Sequence, residues 1–153
     1  MVCCGTAAAL LLFRKMSTKA ESNISREKKS ILLLEDDLDF QGTVAEFLRG
    51  HDYEVVSVAN GVEGVRVLMN RDFDAIVCDM MMPSLPGDMF YLAVQRMRPA
   101  LCRTFLFITG HKNDTKVTDF IQRVNGTMLI KPFGLSELLE MVGYVQVRTL
   151  LAA

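Results

Sequence analysis

Residues 73–83 read FDAIVCDMMMP. Within them the short run AIVC, rich in β-branched residues, leads directly into Asp79 and is followed by a turn signal at Pro83-Ser84. A run this short with no polar alternation is the pattern of a strand buried on both faces. The same pattern recurs on either side, at 31–35 (ILLLE), 54–58 (EVVSV), 104–109 (TFLFIT) and 127–131 (TMLIK). Amphipathic helical spacing fills the intervals. Phe40, Val44, Phe47 and Leu48 form one stripe; Val117, Phe120, Ile121 and Val124 form another; Leu135, Leu138, Leu139 and Val142 form a third. Weaker stripes run through 61–71 and 88–98. Gly50, Asn60-Gly61, Pro99 and Asn125-Gly126 punctuate the elements.

Five strand–helix units predict an α/β fold with a parallel sheet covered on both faces, and right-handed crossovers favour a doubly wound arrangement. The expected domain spans 30–148, between a disordered tail over 1–29 and a short tail over 149–153. The 153 residues suit one domain. With half the residues hydrophobic and 23% charged, composition excludes wholesale disorder, and a net charge of −1 gives no support to direct nucleic-acid binding. The four cysteines include no C-x-x-C pair, and neither they nor His51 and His111 show metal-ligand spacing, so reduced thiols and a cytoplasmic location are expected. The longest apolar run, residues 7–13, is far short of the ~20 residues that span a bilayer, so no membrane span is expected. Met16 opens a polar stretch and is the expected physiological start. With so few residues after the last helix, the signal is expected to leave through this domain's own surface.

In such sheets ligands bind beyond the carboxyl ends of the strands. Glu35-Asp36-Asp37 end the first strand, Asp79 the third, Thr109-Gly110 the fourth and Lys131-Pro132-Phe133 the fifth, while the second ends in the unreactive Ser57-Val58-Ala59. Carboxylates crowded on one rim call for a cation, and oxygen ligands with room for water and phosphate suit Mg²⁺. Lys131 adds a compact positive charge and Thr109 a hydroxyl. No Ser-His-Asp or Cys-His pair is present. With a metal shielding its charge, a carboxylate can itself attack phosphorus and form an acyl phosphate.

These residues resemble the receiver domain of two-component response regulators, through ILLLEDD (31–37), FDAIVCDMMMP (73–83), FITG (107–110) and LIKPF (129–133). The resemblance covers 30–148 and implies a flavodoxin-like (βα)5 three-layer sandwich of strand order 2-1-3-4-5. It implies phosphorylation of Asp79 by a histidine kinase or histidine phosphotransfer protein. Mg²⁺ would be held by Asp36, Asp79, the backbone carbonyl of Met81 and, through water, Glu35. Lys131 and Thr109 would bind the phosphoryl group, with Gly110 leaving room for it, and the bond before Pro132 would be cis. The output surface would be the fourth helix, fifth strand and fifth helix, about 112–148, acting on a protein target as a monomer or a phosphorylation-dependent dimer. Apart from self-catalysed phosphoryl transfer and slow autodephosphorylation, no enzyme activity is implied.

The chain departs from the family pattern at Met128, where an aromatic switch residue is common. Gly110 stands in place of the usual alanine, and Pro86 precedes Gly87 where an acid is frequent. Met81 and His111 occupy positions that tune hydrolysis in the family, and apolar Met81 implies a long-lived phosphoryl group. Bland readings stand beside these: Asp36 and Asp37 as helix caps, Lys131 as a surface lysine, Thr109 as structural, His111 as a loop residue, Cys78 as core. A pseudo-receiver that docks without phosphorylation and an Asp-nucleophile phosphatase are the competing functions.

Overall fold

All five apolar runs are strands in the computed structural model, which describes residues 27–110 and 113–152. The elements are β1 (Ser30–Leu34), α1 (Leu38–Gly50), β2 (Glu54–Val58), α2 (Gly61–Leu68), β3 (Ala75–Asp79), α3 (Gly87–Met97), a 3₁₀ helix (Pro99–Thr104), β4 (Phe105–Thr109), α4 (Thr115–Arg123), β5 (Thr127–Ile130) and α5 (Leu135–Leu151). The strands form one parallel, doubly wound sheet of order β2-β1-β3-β4-β5, the order implied by the receiver resemblance. Leu34 pairs with both Val58 and Cys78, Asp79 with Ile108 and Thr109 with Ile130, so the strand ends that carry polar residues share one rim.

Period-two alternation splits the strands between two cores. Leu32, Leu34, Ile76, Cys78, Phe105 and Phe107 pack with Phe90, Tyr91, Val94 and Phe120 of α3 and α4. Ile31, Leu33, Val77, Leu106, Ile108 and Leu129 pack on the other face with Val44 and Leu48 of α1 and Leu138, Val142 and Val145 of α5. The helices start where side chains satisfy their first amides: Asp37 caps α1, Asn60 caps α2 and Asp114 caps α4.

Three boundaries differ from expectation. The 3₁₀ helix occupies a stretch read only as a turn at Pro99; proline begins it, and the Thr104 hydroxyl closes it on Leu101 O at 2.7 Å. α2 ends at Leu68 rather than continuing to 71. α5 runs to Leu151, through most of the stretch expected as a tail from 149. Thr149 Oγ1 reaches Val145 O at 2.9 Å and Arg103 O at 3.2 Å, and Arg103 donates to Ala152 O at 2.7 Å, which ties the last turn to the 3₁₀ helix. At the other end, Met16, Cys3, Cys4 and the apolar run at 7–13 lie outside the described residues. Among the described residues no helix is long and apolar enough to cross a membrane.

Gly87 holds α3 tightly against β3. A Cβ at this position would lie 2.6 Å from Asp79 O and 2.9 Å from Met80 Cα, both backbone atoms that cannot swing aside. Gly87→Ala is therefore expected to cost about 1–3 kcal/mol, read as a lower urea midpoint in equilibrium denaturation. An unchanged midpoint would show that the helix can slide.

Candidate functional site

The chain leaving β1 places three successive acids in three different environments. Glu35 is 2% exposed, its N–H bonded to Val58 O at 3.2 Å. Asp37 turns away to cap α1, accepting from Asp39 N and Phe40 N at 3.1 Å each. Asp36, between them, is exposed and makes no side-chain hydrogen bond, so only one of the two adjacent aspartates is committed to capping. β3 delivers Asp79, 5% exposed, whose Oδ1 accepts from Met81 N at 2.9 Å. Cys78 points to the opposite face, fully buried in the core.

Lys131 follows β5, anchored by its N–H to Thr109 O at 2.8 Å and followed by a cis Lys131–Pro132 peptide. Its ammonium bridges the two buried acids, donating to Asp79 Oδ2 at 2.7 Å and Glu35 Oε2 at 2.8 Å. The same nitrogen sits 4.6 Å from the centroid of the Phe40 ring, and Phe40 meets Phe133 edge-on at 5.8 Å. An aromatic face stabilises a cation in this geometry.

Burial pushes the Glu35 carboxyl above its usual range; the Lys131 hydrogen bond opposes this and the nearby Asp79 charge adds to it. Burial alone would lower the Lys131 pKa, but its hydrogen bonds to Asp79 and Glu35, and their charges, hold it above the ordinary value. Burial, then the charges of Asp79, Asp88 and Glu35, raise the Cys78 thiol well above its usual range, so it stays protonated near neutral pH.

Glu35, Asp36 and Asp79 each offer an oxygen, all within 4.8 Å of one another, and could hold a metal ion. The fit is chemical as well as spatial: the donors are hard oxygens, and one lysine faces three carboxylates, leaving negative charge in excess. Thr109, the last residue of β4, is fully buried. Gly110 is exposed, and a Cβ there would meet nothing within 4 Å. Met128 is partly buried against the aromatic core, paired with Phe107. The Met81 side chain is 51% exposed beside Asp79. His111 lies outside the described residues. Sequence reasoning missed the role of Phe40, read there as one more residue of an apolar stripe; its position just past three acids was the available signal.

A doubly wound sheet that gathers an acidic cluster and a bridging lysine at its carboxyl rim is the architecture of a phosphoacceptor signalling domain. The chain belongs to the response regulator receiver domain family, whose model matches residues 31–143. It is 32% identical over 111 residues to the transcriptional regulatory protein TcrA of Mycobacterium tuberculosis (71% of this chain, 42% of that protein). It is 30% identical over 113 residues to the transcriptional regulatory protein HprR of Escherichia coli (73% of this chain, 49% of that protein). The chain thus spans less than half the length of these curated relatives. Its fold matches the CheY-like receiver domain protein of Methanospirillum hungatei with a TM-score of 0.75 at 21% identity, over 82% of this chain and 98% of that one.

Removing the bridging cation tests these electrostatics. Lys131→Met leaves Glu35 and Asp79 buried without their partner, and is expected to cost about 3–5 kcal/mol near pH 7 without metal. Glu35 binds its proton more tightly folded than unfolded, so it opposes folding as pH rises through its raised value. The cost of Lys131→Met should therefore shrink as pH falls and the Glu35 carboxyl protonates. Urea titrations of both proteins at acid and neutral pH read this; a pH-independent cost would refute it.

Proposed function

We propose that Asp79 accepts a phosphoryl group from a phosphohistidine on a histidine kinase or histidine phosphotransfer protein, in a Mg²⁺-dependent reaction. The carrying observation is the approach of Glu35, Asp36 and Asp79 oxygens within 4.8 Å, with Lys131 bonded to the first and last. An Asp79 carboxylate oxygen bonds to phosphorus as the phosphorus–nitrogen bond of the donor breaks, its electron pair returning to the imidazole. Asp36, Asp79 and the Met81 carbonyl would hold Mg²⁺ directly and Glu35 through water; when bound, the ion neutralises charge on the transferring group. Lys131 supplies a fixed positive charge to a phosphoryl oxygen, and Thr109 a hydroxyl. Gly110 leaves space beside them.

The receiver unit is assigned to 30–148. It acts through protein–protein contact on the surface of α4, β5 and α5, where Tyr144 and Val147 are both more than half exposed, either as a monomer or as a phosphorylation-dependent dimer. The net charge of −1 supports an output that does not itself touch nucleic acid, and the free thiols of Cys78 and Cys102 support a cytoplasmic setting. A docking module that is never phosphorylated is the second reading, favoured by Met128 packing into the core instead of presenting an aromatic switch.

One experiment separates the two. With acetyl phosphate and Mg²⁺, the protein should take up close to one phosphoryl group per chain, and Asp79→Asn none, with both folded by circular dichroism. Uptake by Asp79→Asn at the same yield would overturn the site, and no uptake by the unaltered chain would favour docking alone. Steady turnover of small phosphoesters would instead identify a phosphatase. A second expectation concerns lifetime. The Met81 side chain offers no group to orient water, so the phosphoryl group should persist for minutes or longer after the donor is removed, and Met81→Asn should shorten that lifetime. Loss within seconds from the unaltered protein would refute this.

A further inference from the structure

Gln41, half-buried one turn into α1, spends both hydrogens of its amide on backbone carbonyls at the ends of two neighbouring strands. Its Nε2 donates to Glu35 O at 2.7 Å and to Val58 O at 2.9 Å. Both acceptors are carbonyls, so the orientation of the amide is set by chemistry. Val58 O also accepts from Glu35 N at 3.2 Å. The Glu35 backbone is therefore gripped on both sides, its N–H by β2 and its C=O by Gln41.

Glu35 O belongs to the peptide plane that carries Asp36 N. Asp36 has no side-chain hydrogen bond to aim it, and the carboxylate of Asp37 is committed to the helix cap. The direction of the Asp36 carboxylate thus depends on the tilt of this peptide. Resting on the phosphoacceptor reading above, we infer that Gln41 is a positioning residue: by clamping the Glu35–Asp36 peptide it aims Asp36 at the cation position beside Asp79. Removing a group that holds a ligand from behind commonly costs about 10–100-fold in metal affinity. The clamp also joins the acidic loop to the residue just before the Ala59-Asn60 turn that starts α2, so the two loops on this side of the rim are held as one piece.

The chain has no tryptophan, so Mg²⁺ binding is best read by calorimetry on the full chain. Gln41→Met keeps the length of the side chain and removes both donors; Gln41→Arg keeps donors able to reach both carbonyls. Gln41→Met should weaken Mg²⁺ binding about tenfold while leaving phosphoryl uptake at saturating Mg²⁺ unchanged, and Gln41→Arg should recover most of the affinity. A folded Gln41→Met with unaltered Mg²⁺ affinity overturns the inference, as does a Gln41→Arg that loses as much as Gln41→Met. Should Gln41→Met fail to fold, Gln41→Leu replaces it, since it is uncharged, of similar size and cannot donate; unaltered affinity there is equally fatal. If the unaltered chain binds no Mg²⁺, the phosphoacceptor reading fails and this inference with it; if it binds and the donor-free variant matches it, only the inference fails.

Discussion

Two carboxylates almost out of contact with water, on adjacent strands, demand a cation, and Lys131 meets that demand by bridging Glu35 and Asp79 at 2.8 and 2.7 Å. Charges buried this deeply persist only where each is paired and hydrogen-bonded. The sheet order makes the bridge possible and also constrains it. β1 and β3 are neighbours, which sets the acids side by side, whereas the lysine follows β5, two positions away from β3. The chain leaving β5 must therefore bend inward across the end of β4. The bond from Lys131 N to Thr109 O and the Phe133–Phe40 contact hold it there, with the Phe40 ring against the ammonium.

The sheet was legible in the sequence because each strand is buried on both faces. Unbroken apolar runs such as AIVC and FLFI leave little alternative, and the polar residues that end them mark which edge holds the chemistry. Glu35, Asp36, Asp79 and Lys131 were readable for the same reason: in a parallel sheet every strand end falls on one rim. What could not be read was how adjacent residues divide their tasks. Asp36 and Asp37 have the same side chain, and only the backbone turn entering α1 decides that one caps the helix while the other stays free. Gln41 and Phe40 were hidden by helical periodicity, which reports the face a residue occupies and not the carbonyl or ammonium it meets. The 3₁₀ helix escaped because so short an element has no period to detect.

The two cores divide the work of the sheet. Aromatic rings dominate one face, where Tyr91 lies within 6 Å of Phe105, Phe107 and Phe120. Aliphatic side chains dominate the other, beneath α1 and α5. Alternation sends Cys78 into the aromatic core and Asp79 to the opposite side, so the acidic residue costs that core nothing.

The packing at Gly87 carries a consequence for how a local change would travel. Its N–H bonds to Met80 O at 3.1 Å, and its Cα rests against the peptide of Asp79 so closely that even a methyl group does not fit. The nearest contacts between Asp79 and the start of α3 are backbone on backbone. Rigid contacts of this kind act as gears rather than cushions: a small shift of the Asp79 backbone would pass undamped into the first turn of α3.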